Sequence, residues 1–102
     1  MKKLFISQPM KGKTDKEILA ERSKAIEEAR KAVNDDITII DSFFQGAPAD
    51  AKPLWFLGKS FELLSTADIA YFAKDWDKFR GCKMEHDAAI QYGIKVIEYA
   101  ED

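Results

Sequence analysis

The chain is poor in sulfur, proline and glycine, and it carries no strong charge imbalance. Each shortage excludes a class of protein. Its single cysteine, Cys82, can neither close an internal disulfide nor build a zinc site that needs several thiolates, which suits a reducing compartment. With 3 prolines and 5 glycines in 102 residues, it has no linker, internal repeat or low-complexity tract. The 16 basic residues against 18 acidic ones, a formal charge of −2, give no electrostatic footprint for nucleic acid or an anionic membrane. The apolar run Leu4-Phe5-Ile6 behind Met1-Lys2-Lys3 is too short for a signal peptide or a membrane span. A soluble, cytoplasmic protein is therefore expected.

What is present is ordinary globular material, 46% hydrophobic and 33% charged, sized for one domain over residues 1–102. A chain this short buries only about 60–70% of its unfolded surface, so self-association would help it. Two periods alternate along it. Lys3 to Ser7 reads as a strand, and Gln8 to Lys13, with Pro9 and Gly12, as a loop. Thr14-Asp15-Lys16-Glu17 has capping-box spacing and opens a helix whose inner face is Ile18, the Arg22 stem, Ala25, Ile26, Ala29 and Val33. Glu21, Lys24, Glu27, Glu28 and Lys31 are left for water, and Asn34-Asp35-Asp36 stops the helix.

The β-branched run Ile37–Ile40 predicts a second strand, and Asp41–Pro53 a long loop. Helical spacing returns from Leu54 to Ser65, and Asp68–Phe72 predicts a third strand. Asp75–Gly81 reads as another loop, Lys83–Tyr92 as a helix stopped by Gly93, and Ile94–Tyr99 as a fourth strand. Strand–helix alternation with apolar strands predicts a parallel sheet covered on both faces. Ligands of such sheets sit beyond the carboxyl ends of the strands, which selects Ser7–Thr14, Asp41–Pro53 and Ala73–Glu85.

The first of these segments is one residue short of a phosphate-binding loop, Ser7-x-x-x-x-Gly12-Lys13-Thr14. Ser7 stands where the first glycine is needed, Pro9 removes an amide, and the chain is short for a nucleotide hydrolase. A more modest expectation is that the helix start binds an anion or a hydroxyl-rich group. In the third segment, Gly81 precedes Glu85 by four residues at a loop-to-helix junction. A carboxylate there is either a plain helix-start residue or, facing an apolar pocket, a nucleophile for a sugar carbon.

Cys82 and His86, four apart on one helix face, offer too few ligands for a metal, and no third group marks them as a nucleophile–base pair. Phe43, Phe44, Trp55 and Phe56 suit either a base-stacking wall or core and subunit interface. Trp76 and Phe79 are harder to place in a core, and Arg80 could pair with a phosphate. Neither metal nor cofactor is required.

Taken together, Leu4-Phe5-Ile6-Ser7-Gln8-Pro9-Met10, Ala67-Asp68-Ile69-Ala70-Tyr71-Phe72 and Gly81-x-x-Met84-Glu85-x-x-x-Ala89 leading to Gly93-Ile94-Lys95-Val96 resemble the nucleoside 2-deoxyribosyltransferase-like superfamily. That group includes deoxynucleoside-monophosphate N-glycosidases and many small phage-borne proteins. The resemblance spans nearly the whole chain, without the C-terminal extension of classical members. It implies a three-layer α/β/α sandwich on a parallel four-stranded sheet of flavodoxin-like topology, assembled as a homodimer or higher oligomer.

By the same resemblance, Glu85 attacks the anomeric carbon of a deoxynucleoside or its monophosphate. Ser7, Gln8, Met10, Gly12, Asp41, Ser60, Arg80 and Gly81 are then the candidate substrate-binding residues. The chain departs from the family pattern at four positions. Phe5 replaces a Tyr that bonds the nucleophile, Ser60 replaces an Asp that helps bind or protonate the base, Phe79 replaces a further acid, and Met10 replaces a stacking aromatic. General-acid help, worth about 10²–10⁴-fold, would then fall to Asp41, Asp75 or Asp77. A binding or sensing module that keeps the pocket without the chemistry is the alternative.

Overall fold

The computed structural model describes residues 1–9, 12–41 and 48–100, and their strands and helices alternate as the two periods predict. In chain order they are β1 (Lys2–Ser7), α1 (Asp15–Ala32), β2 (Ile37–Ile39), α2 (Pro53–Leu64), β3 (Ile69–Phe72), a 3₁₀ turn (Trp76–Lys78), α3 (Arg80–Gln91) and β4 (Lys95–Glu98). The described strands form one parallel sheet in the order β2-β1-β3-β4, the flavodoxin-like order whose switch point lies between β1 and β3.

Period-two alternation divides the strand side chains between two apolar layers. Leu4, Ile6, Ile69 and Tyr71 pack with Ala25 and Ala29 of α1. Phe5, Ala70 and Phe72 pack on the other face with Leu64 of α2 and Ala89 of α3. Of the three helices, α1 and α3 meet the sheet through fully buried alanines, which bring their backbones close to it, and α2 meets it through Leu64. The result is the expected three-layer sandwich, with α1 on one side and α2 and α3 on the other.

Local chemistry sets most of the boundaries. Thr14 Oγ1 accepts from the Glu17 amide at 3.2 Å while the Glu17 carboxylate accepts from the Thr14 amide at 3.3 Å, a reciprocal cap of the kind worth about 1 kcal/mol. Pro53 opens α2, where its missing amide proton costs nothing. Gly93, at φ +75°, follows α3 in the left-handed conformation that glycine adopts without a Cβ penalty.

Four expectations need correction. The third helix begins at Arg80 rather than Lys83, because tertiary packing overrides the weak helix propensity of Gly81. The stretch read as an Asp75–Gly81 loop contains the 3₁₀ turn, entered through a left-handed Asp75 at φ 67°. Glu21 and Glu28 are not left to water, since Glu21 holds Lys13 Nζ at 2.9 and 2.8 Å and Glu28 accepts from the Tyr71 hydroxyl. Arg22 buries its guanidinium as well as its stem. Gln8 Oε1 accepts from Arg22 Nη1 at 3.2 Å and Ile40 O from Nη2 at 3.4 Å. Burial lowers the Arg22 pKa, and the nearby Asp41 charge opposes that shift. No helix among the described residues is long and apolar enough to cross a membrane.

Candidate functional site

Ser7 ends β1 and Gln8 follows it, and extended-chain alternation sends them to opposite faces. Ser7 shares the face of Phe5, toward α2 and α3. On α3, Cys82, Glu85 and Ala89 form the buried stripe, with helical spacings of three and four. These two elements meet where Ser7 Oγ donates to Glu85 Oε1 at 2.7 Å, in a buried hydrogen bond. Ser60 of α2 supplies a second hydroxyl to the same carboxylate. Three elements thus converge on one acid.

Above that acid lies a cavity of about 340 Å³ whose walls include Phe5, Pro9, Phe56, Leu57, Phe79 and Gly81. Its volume falls at the lower end of the range of about 300–1,000 Å³ typical of small-molecule sites. The cavity sits beyond the carboxyl end of β1, at the switch point, where an open α/β sheet binds ligands. A larger hollow of about 760 Å³ lies at the opposite end, between the C-terminal ends of α2 and α3. Its one carboxylate, Asp68, accepts from the Lys3 amide at 2.8 Å.

The electrostatics of the smaller cavity centre on Glu85. Burial pushes its carboxyl above the usual range, and the Ser7 and Ser60 hydrogen bonds pull it part of the way back. A carboxylate of this kind is basic and poorly hydrated, which favours attack on carbon when it is ionised. Burial likewise pushes the Cys82 thiol up to about 11, with the Ser7 hydrogen bond and the Lys13 charge opposing and the Glu85 charge adding. Cys82 is therefore a protonated thiol near neutrality and no candidate for a reactive thiolate.

Of the candidate residues, Glu85, Ser7, Ser60, Gly81 and Gln8 line this cavity. The Gln8 side chain is committed elsewhere, since Nε2 donates to Ile18 O at 3.2 Å and Oε1 accepts from Arg22. It anchors the loop to α1. Gly12, Asp41 and Arg80 are exposed and do not line the cavity. Met10, Phe43 and Phe44 lie outside the described residues.

The phosphate-loop resemblance loses its three polar side chains to other partners: Ser7 to Glu85, Lys13 to Glu21 and Thr14 to the helix cap. Trp76 is half-buried and packs against the core. It packs on Phe72 and stacks on His86 at 4.0 Å between ring centroids, while His86 Nε2 lies 2.7 Å from Glu98 Oε2. Phe79 does line the cavity. Cys82 and His86 thus face different neighbours, and no group of three or more potential metal ligands occurs among the described residues.

Leu57 was not foreseen, whereas Pro9 and Pro53 fall within the Ser7–Thr14 and Asp41–Pro53 segments selected as the ligand end of the sheet. Leu57 was in principle findable, because it precedes Ser60 by three residues and so shares its helix face. The fold and site together define an α/β protein of flavodoxin-like topology with a buried, hydroxyl-held carboxylate at its switch point. Comparison with protein-family models, curated proteins and solved structures returned no match.

Proposed function

We propose that this chain binds a deoxynucleoside or its monophosphate in the cleft and cleaves or transfers the N-glycosidic bond. The observation carrying this reading is the Glu85 carboxylate, 7% exposed and held by two hydroxyls at the floor of the switch-point cavity. In the proposed reaction a Glu85 oxygen forms a bond to C1′ while the C1′–N bond breaks. The electron pair leaves with the base, which takes up a proton. Water then hydrolyses the glycosyl ester, releasing the sugar and regenerating the carboxylate, or a second base takes the sugar in its place. The resemblance to deoxyribosyltransferases supports the same assignment. Phe56, Leu57 and Phe79 provide an apolar wall of the kind a base stacks against.

One observation favours a second reading, a nucleotide-binding or sensing module without turnover. Among the described residues lining the cavity, only Glu85 and Cys82 titrate, and a thiol at about 11 is a poor acid for a departing base near neutrality. Asp41, Asp75 and Asp77 do not line the cavity. Incubation with a panel of deoxynucleosides and their monophosphates, followed by chromatography for free base, separates the two readings. The enzyme reading expects base release that disappears in Glu85→Gln. Ligand-induced stabilisation without base release, surviving that substitution, would establish the binding module instead.

Self-association belongs to the same proposal. Only Leu64 of the strongly apolar α2 is buried, while Leu54 and Phe61, seven residues apart on one helix face, are 76% and 38% exposed. A second copy would cover that face.

A further inference from the structure

We infer that the switch-point cavity is selective for a nucleoside whose base is a cation, with positive charge in the ring bonded to C1′, so that the base departs as a neutral molecule. The inference rests on the glycosyl reading and names its substrate class.

The first support is the charge of the cavity. Among the described residues that line it, Glu85 carries the one charge, and Glu85 is 7% exposed. A buried carboxylate is poorly hydrated, and its attraction for a cation grows as the surrounding dielectric falls. Neighbouring cations are engaged or directed elsewhere. Lys13 is held by Glu21 at 2.8 Å, and Arg80 is exposed and outside the lining. The aromatic part of the wall, Phe5, Phe56 and Phe79, suits a delocalised ring cation, because aromatic side chains attract weakly hydrated organic cations.

The second support is the proton supply. An uncharged base leaves with an electron pair and needs an acid, whose help is worth about 10²–10⁴-fold. Burial holds the Cys82 thiol up at about 11, and the serine hydroxyls of the cavity are weaker acids still. Ser7 already donates its proton to Glu85 Oε1 at 2.7 Å, and the Gln8 amide donates to Ile18 O at 3.2 Å. A cationic base asks for no proton. As a Glu85 oxygen bonds to C1′, the C1′–N bond breaks and its electron pair cancels the charge of the ring. The oxygen of water then bonds to C1′, the glycosyl ester opens, the carboxylate is regenerated and one proton passes to solvent. The cation also readies its own nucleophile, since a positive charge close by favours the ionised form of Glu85 and opposes the upward push of burial.

The test compares 7-methyl-2′-deoxyguanosine, a cation just below neutrality, with uncharged 2′-deoxyguanosine. Each rate of base release is divided by the spontaneous rate of the same compound, which removes the intrinsic lability of the cation. Free in solution, deoxyguanosine draws its proton from the solvent, a source that the side chains of the cavity do not replace. The acceleration should therefore be about 10²–10⁴-fold larger for the methylated compound, and Glu85→Gln should abolish it. An equal or larger acceleration for deoxyguanosine overturns the inference and leaves the glycosyl reading in place.

Binding is read separately by NMR shift titration with two compounds that cannot be cleaved, the N-methylpyridinium-3-carboxamide ion and its uncharged isostere 3-methylbenzamide. Wild type should bind the cation about tenfold more tightly, and Glu85→Gln should bind the two alike. Equal affinities in wild type overturn the inference, and that comparison stands even should the variant not fold. A preference for the cation with no base released from either nucleoside overturns the glycosyl reading and leaves the charge selectivity in place.

Discussion

Glu85→Gln should make the protein more stable than wild type at pH 8, and the gain should fade toward pH 4. Burial raises the Glu85 carboxyl above its ordinary range, and this outweighs the opposing Ser7 and Ser60 hydrogen bonds. A group whose folded midpoint lies above its unfolded one, about 4.3 for Glu, adds stability that is complete below the unfolded value. That contribution is lost as pH rises through the folded value. Wild type therefore surrenders about 1.4 kcal/mol for each pH unit separating the two midpoints, whereas Gln, which does not titrate, surrenders nothing.

The substitution also leaves no buried group unpaired. The amide oxygen can still accept from Ser7, and the amide nitrogen can donate to the Ser60 oxygen. A net gain at pH 8 follows, its size set by the separation of the folded and unfolded midpoints. In a chain of this length each kcal/mol moves Tm by about 4 °C or more. Circular-dichroism melts of both proteins from pH 4 to pH 9 read the difference directly, because every other titrating group is common to the two. Parallel curves, or an advantage that grows toward acid, would refute the claim that desolvation governs this carboxylate.

Two further outcomes are expected. Gly81→Ala should raise stability by about 0.5–1 kcal/mol, because alanine is the better helix former and its Cβ would meet only Leu57 Cδ1, at an ordinary 3.9 Å; a lower Tm would show that the backbone there needs glycine. Sedimentation velocity at tens of micromolar should show a species larger than the monomer that Leu54→Lys returns to monomer, and a wild type that sediments as a monomer would refute self-association through α2.

Legibility in the sequence tracked the range over which each feature is encoded. The α1 start was readable because Thr14 and Glu17 cap each other within one turn, and β2 because Ile37–Ile40 is β-branched throughout. The layering was readable because both faces of β1 and β3 are apolar. The site was only half readable. Ser7 and Glu85 are 78 residues apart, and no local pattern records their contact; strand alternation and helix spacing say which way each points, not what each meets. Gly81 concealed the first turn of α3 because propensity reads glycine as a breaker, while the tertiary contacts of that helix extend it. Trp76 packs against the core and Phe79 lines the cavity, although they stand three residues apart in a stretch read as loop. That choice belongs to Phe72 and His86, the rings against which Trp76 packs.

The end of β1 explains how so small a domain can hold a desolvated acid in place. Ser7 ties the sheet to α3 on one face, and Gln8, the next residue, ties it to α1 on the other through Ile18 and Arg22. Both are buried side chains, so the backbone between them is held from two sides at the switch point. Neither helix can shift without breaking a satisfied buried hydrogen bond, at a cost of about 1–3 kcal/mol. The cavity wall is built differently, since Phe56 is 37% exposed and Phe79 is half-buried. A fixed floor beneath an adaptable wall suits chemistry in which one reacting carbon must meet one carboxylate oxygen while the group stacked above it varies. Preorganisation of this sort puts rigidity where charge and bonds change, and the stability lost on ionising Glu85 is the thermodynamic counterpart of that arrangement.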